Sequence, residues 1–254
     1  MAKIPFALQL YSVRDALEED IEGTLERVKK AGYDHVELSG TGGKSVEEFR
    51  AALATAELSA ISCHVDFERC QSDLAGAIAD CQAFGVAWAV IPWLDPEANP
   101  QLADWSARGV EMAAMGEAFK AAGITLCFHN HFIEFEPIDG KTPFDAVFEA
   151  ADPANLSIEL DVGWSHYGGA DTLAVMQRYD GRIPLLHIKD IKQRYDGEEP
   201  HITELGNGAT KFGPLLKAAG EIGVSWLIVE QDESARDPLE SARMNAAYMR
   251  VHVF

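Results

Sequence analysis

Two kinds of hydrophobic pattern alternate along this chain, and the alternation limits the folds that it can adopt. Short apolar runs rich in branched residues, such as residues 58–65 and 124–129, predict β-strands. Longer segments whose apolar residues recur every three or four positions, such as residues 102–122, predict α-helices. Each strand and helix together take about 32 residues, the size of a βα repeat. Eight such pairs predict an α/β protein with a single (β/α)8 TIM barrel.

Turn and capping signals give the boundaries of the predicted elements. The predicted strands are residues 6–13, 35–38, 58–65, 88–92, 124–129, 156–160, 184–188 and 224–229. Three predicted helices are placed by their starts, which are Ile21, the residue after the cap Ser45, and Thr142. The other five cover residues 72–84, 102–122, 172–179, 212–222 and 239–249. No linker separates two cores, so we expect one domain over residues 1–254.

An open doubly wound sheet is the competing architecture, because it also alternates strands and helices. Such a sheet normally carries a glycine-rich phosphate-binding turn after its first strand. The segment Gln9-Leu10-Tyr11-Ser12-Val13 is not a turn of this kind. The sequence therefore favours the closed barrel.

Composition and charge limit the classes of partner. Hydrophobic residues make up 47% of the chain and the mean hydropathy is −0.09, which is typical of a protein with a large core. The 21 basic and 41 acidic residues give a net charge of −20, which repels a nucleic-acid backbone. No window approaches the roughly 18 apolar residues of a membrane span. The four cysteines lack a CxxC pair and the N-terminus lacks a signal pattern, so we expect a cytoplasmic protein.

Acidic and imidazole side chains stand at the downstream ends of several predicted strands. They are Glu37, His64, His129, His131, Glu134, Asp161, His187 and Glu230. In a βα barrel the strand ends meet at one mouth, which is where the working residues of such barrels lie. A buried carboxylate is costly there unless a cation or strong donors face it. The convergence predicts a metal site at the barrel mouth.

The predicted ligands of this metal are Glu134, Asp161, His187 and Glu230. Three carboxylates and one imidazole favour Mn²⁺ first, then Mg²⁺ or Co²⁺, and leave Zn²⁺ possible. The ligand from the fifth strand stays open, because His129 and His131 compete with Glu134. Asp161 is not expected to cap a helix, because the next helical pattern begins only near Gly169.

Other side chains at the strand ends are candidates for contact with a substrate. Glu37 and His64 each have an alternative as hydrogen-bonded rim residues, but their positions on neighbouring strands favour a functional role. Aromatic residues that could stack on a sugar, or simply fill the surface, are Tyr11, Trp93, Trp164 and Tyr167. The segment Gly206-Asn207-Gly208, with Lys211, could present amides to a phosphate or form an ordinary turn.

Four segments resemble the motifs of one family. They are Phe6-Ala7-Leu8-Gln9-Leu10-Tyr11-Ser12-Val13-Arg14-Asp15, His129-Asn130-His131-Phe132-Ile133-Glu134-Phe135, Leu186-His187-Ile188-Lys189-Asp190 and Val229-Glu230-Gln231-Asp232. They are similar to the sugar phosphate isomerase/epimerase family with xylose isomerase-like barrels, and the HNHxxE motif resembles its keto-glycoside-processing branch. The resemblance implies a single-domain barrel, a divalent metal at its mouth, and proton transfer next to the carbonyl of a sugar or cyclitol.

The resemblance also implies roles for individual residues. It implies metal ligands at Glu134, Asp161, His187 and Glu230, and substrate-side groups at Glu37, His64 and Lys189. The chain departs from the family at His129, where ketose epimerases have a metal-binding glutamate, and at Phe132, where the keto-glycoside branch usually has an aspartate. The base therefore stays open between Glu230 and His131, and an unperturbed histidine pKa near 6.5 suits neutral pH better than a metal-bound carboxylate.

We therefore expect a divalent-metal-dependent sugar isomerase or epimerase that acts through an enediolate, with Glu230, His131 and Lys189 as catalytic residues. Its predicted substrate-binding residues are Glu37, His64, His129, Trp93 and Trp164. A lyase, dehydratase or hydrolase of keto-sugars, keto-glycosides or inososes shares the same intermediate and is the alternative. A non-catalytic sugar-binding barrel and an abasic-site endonuclease are more remote, and the acidic charge argues against the latter. The expected partner is a small sugar or cyclitol, and the sequence leaves a homo-oligomer open.

Overall fold

Eight parallel strands close into a barrel in the computed structural model of the chain, which describes residues 3–192 and 199–252. The described strands are β1 (Phe6–Gln9), β2 (His35–Leu38), β3 (Ser59–His64), β4 (Trp88–Ile91), β5 (Thr125–His129), β6 (Ser157–Asp161), β7 (Leu185–Ile188), β8 (Asp190–Ile191), β9 (Ile202–Thr203) and β10 (Trp226–Val229). Strands β8 and β9 form a separate antiparallel pair, and β10 closes the barrel against β1. The predicted barrel is confirmed. The predicted domain limits, residues 1 and 254, lie outside the described residues.

Helices connect the barrel strands. The described helices are α1 (Arg14–Glu19), α2 (Ile21–Ala31), α3 (Val46–Thr55), α4 (Phe67–Ser72), α5 (Leu74–Phe84), α6 (Leu102–Ala121), α7 (Pro143–Ala150), α8 (Val162–Tyr167), α9 (Thr172–Arg178), α10 (Phe212–Ile222) and α11 (Pro238–His252). Every predicted helix is present, and the short helices α1, α4 and α8 are additions to the prediction. No helix within residues 3–192 and 199–252 is long and apolar enough to cross a membrane.

The first strand is shorter than its hydrophobic pattern indicated. Residues 10–13 form a 3₁₀ turn instead of extending the strand that was predicted over residues 6–13. The Gln9 side chain stabilises this turn, because its Oε1 accepts a hydrogen bond from the Tyr11 amide at 3.0 Å. Gln9 is therefore the last residue of β1, and its buried amide group donates to Glu37 inside the barrel.

The barrel interior has an apolar lower part and a polar upper part. One buried cluster contains Ala7, Ile61, Val90, Cys127, Leu185 and Ile228. Successive side chains of a strand face opposite sides, so a residue two positions downstream of these returns to the interior. At that position four of the strands carry polar residues, which are Gln9, His129, His187 and Glu230. The strand pattern therefore places a buried polar layer on top of an apolar plug.

Two outer helices, α6 and α7, pack so closely that a glycine is needed between them. A Cβ atom built on Gly109 of α6 would lie 2.3 Å from the backbone oxygen of Val147 in α7. That separation is too short for any side chain, so the helices could accommodate one only by moving apart. Backbone shifts of this kind usually cost about 1–3 kcal/mol.

Replacing Gly109 with alanine should therefore lower the free energy of unfolding by about 1–3 kcal/mol, although alanine favours a helix by up to about 1 kcal/mol over glycine. The measurement is urea denaturation followed by circular dichroism. Gly213→Ala is the matched control, because a Cβ on this α10 residue meets no atom within 4 Å. Equal midpoints for Gly109→Ala and the unaltered protein would show that the helix contact is not tight.

Candidate metal centre

Four side chains from neighbouring strands meet at the C-terminal end of the barrel. His129 ends β5, Asp161 ends β6, His187 lies in β7 and Glu230 follows β10. One ligand atom from each of the four lies within 4.8 Å of the others. All four side chains are buried, and Asp161 and His187 are direct register partners. The parallel register thus brings residues about a hundred positions apart in sequence to one point.

The donor set of this group fits a divalent cation. Glu230 Oε2 lies 2.9 Å from His187 Nδ1, and the fully buried Asp161 Oδ2 makes no hydrogen bond with the described residues, although the Lys189 ammonium lies 3.2 Å from it. Two carboxylates and two imidazoles form a borderline set that suits Mn²⁺, Co²⁺ or Zn²⁺. Removing such carboxylates from water is costly without a compensating positive charge.

Asp161 also caps a helix, contrary to the expectation from the sequence. Helix α8 begins at Val162, and Asp161 Oδ1 accepts a hydrogen bond from the Trp164 amide at 2.7 Å. That expectation was wrong because it overlooked α8, whose six residues are too few to show a helical period, whereas the helix predicted beyond Gly169 is present as α9. The capping hydrogen bond uses Asp161 Oδ1, and Asp161 Oδ2 faces the Lys189 ammonium at 3.2 Å.

Glu134 lies outside the group that contains the other three predicted ligands, and His129 takes the fourth position. Glu134 belongs to a 3₁₀ turn at Ile133–Phe135, and its Oε2 accepts a hydrogen bond from the His131 amide at 2.8 Å. Burial raises the pKa of its carboxyl group to about 7. The turn directs this carboxylate back to its own loop, which the HNHxxE motif alone does not reveal.

Lys189 is completely buried beside the same group. Its Nζ lies 2.7 Å from Asp232 Oδ2, 2.8 Å from Glu230 Oε2 and 3.2 Å from Asp161 Oδ2, and 4.9 Å from the centre of the Trp164 ring. Burial disfavours the ammonium form, but the carboxylates outweigh it and hold the Lys189 pKa above its usual range. The lysine therefore stays charged and compensates the acidic layer.

A second group of potential ligands shares His187 with the first. Its members are Glu37, His64, Glu159 and His187. Glu159 Oε2 lies 3.1 Å from both His129 Nδ1 and His187 Nε2, and its Oε1 has no hydrogen-bond partner in the described part of the chain. Glu159 was missed in the sequence, where it lies within an apolar run. Strand alternation could have revealed it, because it stands two positions before Asp161 and faces the same interior.

Glu37 and His64 of this second group stabilise each other's charges. Burial disfavours ionisation of Glu37, but His64 and His187 outweigh it and hold the Glu37 pKa well below its usual range. Burial likewise opposes protonation of His64, yet Glu37 and Glu159 raise its pKa to about 10. The second group is therefore an ion-paired network, in which Glu37 has no solvent exposure.

A cavity of about 770 Å³ opens above the polar layer. Trp93 and Trp164 line it on either side of His131, with ring centres 4.9 Å and 5.8 Å from the histidine ring. Tyr11 is an exposed part of the same wall, whereas Tyr167 is buried against Trp164. The structure thus places three predicted aromatic residues where they could contact a sugar ring.

His131 differs from the base expected at neutral pH. Burial and the Lys189 charge lower its pKa to about 3, so its ring is neutral at pH 7 but only weakly basic. His131 Nδ1 and Trp164 Nε1 are both buried without a hydrogen-bond partner among the described residues. Both residues line the cavity, but these two atoms are themselves shielded from solvent, so a small movement of the rings is needed before either can bond to a hydroxyl group of a bound molecule.

The predicted phosphate-binding turn has a structural role instead. The amides of Gly206 and Gly208 donate to Asp190 Oδ2 at 2.9 Å and 2.8 Å, and the Thr210 amide donates to Asp190 Oδ1 at 3.1 Å. Because these amides already bind a buried carboxylate, they do not form an anion site. Of the two interpretations left open by the sequence, the segment therefore fits the ordinary turn.

Comparisons with known proteins agree with this architecture. A family model described as "Xylose isomerase-like TIM barrel" matches residues 25–251. A solved structure of a sugar phosphate isomerase/epimerase from Parabacteroides distasonis is 25% identical, with a TM-score of 0.82 over 100% of this chain and 96% of that one. A xylose isomerase-like TIM barrel protein from Mycobacterium smegmatis, in complex with magnesium, is 19% identical with a TM-score of 0.73, over 100% and 98% of the two chains. The last of these likenesses shows the fold alone.

Curated relatives include inosose dehydratases. The inosose dehydratase of Lacticaseibacillus casei is 26% identical over 162 residues, which cover 58% of this chain and 54% of that protein. The chain therefore spans about half the length of the curated relatives that it matches.

Proposed function

Since the chain belongs to the xylose isomerase-like TIM barrel family, we propose that it is a divalent-metal-dependent enzyme that moves a proton next to the carbonyl of a sugar or cyclitol, as isomerases and epimerases do. The observation that carries the proposal is the group formed by His129, Asp161, His187 and Glu230 beneath an aromatic-walled cavity. This arrangement joins a site for a cation to a space for a small ring.

The four residues of this group would hold the cation. When bound, a divalent ion supplies Lewis-acid polarisation of a carbonyl and thereby acidifies the neighbouring C–H. We place Mn²⁺ first, with Co²⁺ and Zn²⁺ next, because two imidazoles make the site less suited to Mg²⁺.

The protein's own groups handle the proton. Glu230 lines the cavity, and Lys189 and His187 overcome its burial and hold its pKa well below the usual range, so it is ionised at neutral pH although, like His131, it is a weak base. We assign the proton transfer through the enediolate to Glu230 and a hydrogen bond with a substrate hydroxyl to His131. Lys189 keeps the carboxylates in place. Return of the proton to the same carbon gives epimerisation, and return to the neighbouring carbon gives isomerisation.

A dehydratase is the second candidate, because the matched curated relatives are named inosose dehydratases. The first step would be the same removal of a proton next to the carbonyl. The electron pair would then expel a hydroxyl group from the next carbon. This hydroxyl group takes up a proton and leaves as water. The two candidates therefore differ only in the fate of one intermediate.

The charges at the cavity favour a substrate without a phosphate. Acidic residues on its wall are Asp66, Glu199, Glu230, Asp232 and Glu233. The basic groups there are already engaged: Arg14 donates to the backbone oxygens of Tyr11 and Asp232, Arg69 pairs with Asp80, and the protonated His64 pairs with Glu37 and Glu159. A neutral sugar or cyclitol avoids repulsion from this acidic wall.

The proposal predicts metal-dependent exchange of a substrate proton with solvent. Ketoses, inososes and 3-keto-glycosides, each with a phosphorylated counterpart where one exists, would be incubated with Mn²⁺-loaded protein in D₂O and followed by NMR. Deuterium should enter next to the carbonyl of a neutral compound, and a chelator should stop it. A new diastereomer or isomer identifies an isomerase or epimerase, and loss of water identifies a dehydratase. Absence of exchange with every carbonyl compound would contradict the proposal and favour a binding protein.

A further inference from the structure

The two ring nitrogens of His187 face different partners. Nδ1 lies 2.9 Å from Glu230 Oε2, on the side of the proposed metal ligands. Nε2 lies 2.7 Å from Glu37 Oε1 and 3.1 Å from Glu159 Oε2, on the inner side. A neutral imidazole has one N–H and one lone pair, and only the lone pair can bind a metal. The partner of Nε2 therefore decides whether Nδ1 is available.

We infer that Glu37 is a positioning residue, whose carboxylate accepts the Nε2–H of His187 and so directs the Nδ1 lone pair to the metal. This inference rests on the metal site in the proposed function. It replaces the expected contact between Glu37 and substrate, because Glu37 is fully buried and is not among the residues that line the cavity. A carboxylate that orients a metal-binding histidine in this way usually strengthens metal binding as well.

Neighbouring strands hold the Glu37 carboxylate in place. Register pairs Gln9 of β1 with Glu37 of β2, and Glu37 with Ser62 of β3. Gln9 Nε2 donates to Glu37 Oε1 at 2.8 Å, and Ser62 Oγ donates to Glu37 Oε2 at 2.5 Å. His64 Nε2 also lies 3.2 Å from Oε1. Gln9 cannot rotate its amide freely, because its Oε1 accepts the Tyr11 amide.

The negative charge of Glu37 is what a glutamine cannot reproduce. In Glu37→Gln the amide oxygen can take the place of Oε1, and the NH₂ group can donate to Ser62 Oγ, because a hydroxyl accepts as well as donates. The hydrogen bond to Nε2 can therefore persist, but it no longer comes from a carboxylate, and Glu159 Oε2 at 3.1 Å is the other carboxylate beside Nε2. The substitution thus removes the charge of Glu37 from His187 with almost no change in volume, and a carboxylate partner is what makes a metal-binding histidine more basic.

The experiment measures Zn²⁺ affinity by competition with a fluorescent chelator, in the absence of any sugar. Glu37→Gln should weaken Zn²⁺ binding by about 10- to 100-fold. The visible absorption spectrum of the Co²⁺-loaded protein should also change, because it reports the ligand geometry. Glu204→Gln is the matched control, since Glu204 is a buried carboxylate bound to Ser241 and Arg236 rather than to the metal group.

A second measurement needs no variant at Glu37 and so does not depend on its folding. The second measurement is an NMR spectrum of the Zn²⁺-loaded protein labelled with ¹⁵N-histidine, in which the His187 resonances are identified by their loss in His187→Gln. These resonances should show a protonated Nε2 and a metal-bound Nδ1. Coordination through Nε2, or unchanged Zn²⁺ affinity in folded Glu37→Gln, would overturn the inference. The inference would also be overturned if the unaltered protein bound two Zn²⁺ ions per chain and Glu37→Gln bound only one, because Glu37 would then be a metal ligand. Zn²⁺ binding that follows these expectations without proton exchange on any sugar would instead count against the proposed function alone.

Discussion

Glu230→Gln is expected to lower kcat by roughly 10²- to 10⁴-fold, the usual contribution of a general base. The glutamine has nearly the same size but cannot accept the substrate proton. It also presents an uncharged group to His187 Nδ1 and Lys189 Nζ, which lie 2.9 Å and 2.8 Å from the present carboxylate. The measurement is the rate of deuterium incorporation with the best substrate of the panel, at saturating Mn²⁺.

Glu117→Gln is the control for this variant, because Glu117 is an exposed carboxylate of α6 outside the cavity. It should retain activity within about 2-fold, since surface substitutions away from a site usually change stability by less than about 0.5 kcal/mol. Comparable unfolding midpoints for the two variants would show that any loss is chemical. Near-normal turnover by Glu230→Gln would exclude Glu230 as the base and leave His131 as the remaining candidate.

Asp161→Asn should abolish turnover by weakening metal binding at least about 100-fold, more than the usual loss from a residue that only orients a ligand. The substitution separates the two roles of Asp161. Asparagine is as good a helix cap as aspartate, so its Oδ1 can still accept the Trp164 amide and start α8. The carboxylate charge that faces the cation is lost. Metal content per chain after dialysis, measured by mass spectrometry, should fall from one ion toward none.

Asp171→Asn provides the same chemical change at a helix cap without a metal. Asp171 accepts the Ala174 amide at the start of α9 at 3.1 Å and is exposed. Its metal content and activity should match those of the unaltered protein. Full metal content in Asp161→Asn would contradict the proposed ligand set, whereas a collapse of stability without metal loss would assign Asp161 to the helix cap alone.

The periodic pattern predicted the barrel because it depends on local physics. An apolar run that forms a strand and a segment with helical spacing are each recognisable in fewer than about twenty residues, and eight repeats leave few ways to bury their faces. The positions of Asp161, His187 and Glu230 followed from the same logic, since parallel strand ends share one edge. The periodic pattern did not reveal the short helix α8, and so Asp161 was not recognised as a cap.

The polar layer inside the barrel was only partly visible in the sequence. Gln9 and Glu159 sit among apolar residues, where a polar residue is easily attributed to the outer face of a strand. Glu134 follows two histidines, and only the 3₁₀ turn at Ile133–Phe135 shows that its carboxylate returns to the His131 amide. Side-chain direction in a turn depends on backbone angles that residue spacing does not specify.

The sequence by itself determined the order of strands and helices, the closed barrel and the strand ends where charged residues gather, because each depends on interactions between residues close in the chain. Only the tertiary structure decided that His129 joins Asp161, His187 and Glu230, and that Glu37 lies under His187 instead of in the cavity. Those facts depend on the register between strands and on distances of about 3 Å between atoms far apart in sequence. No local pattern encodes such distances.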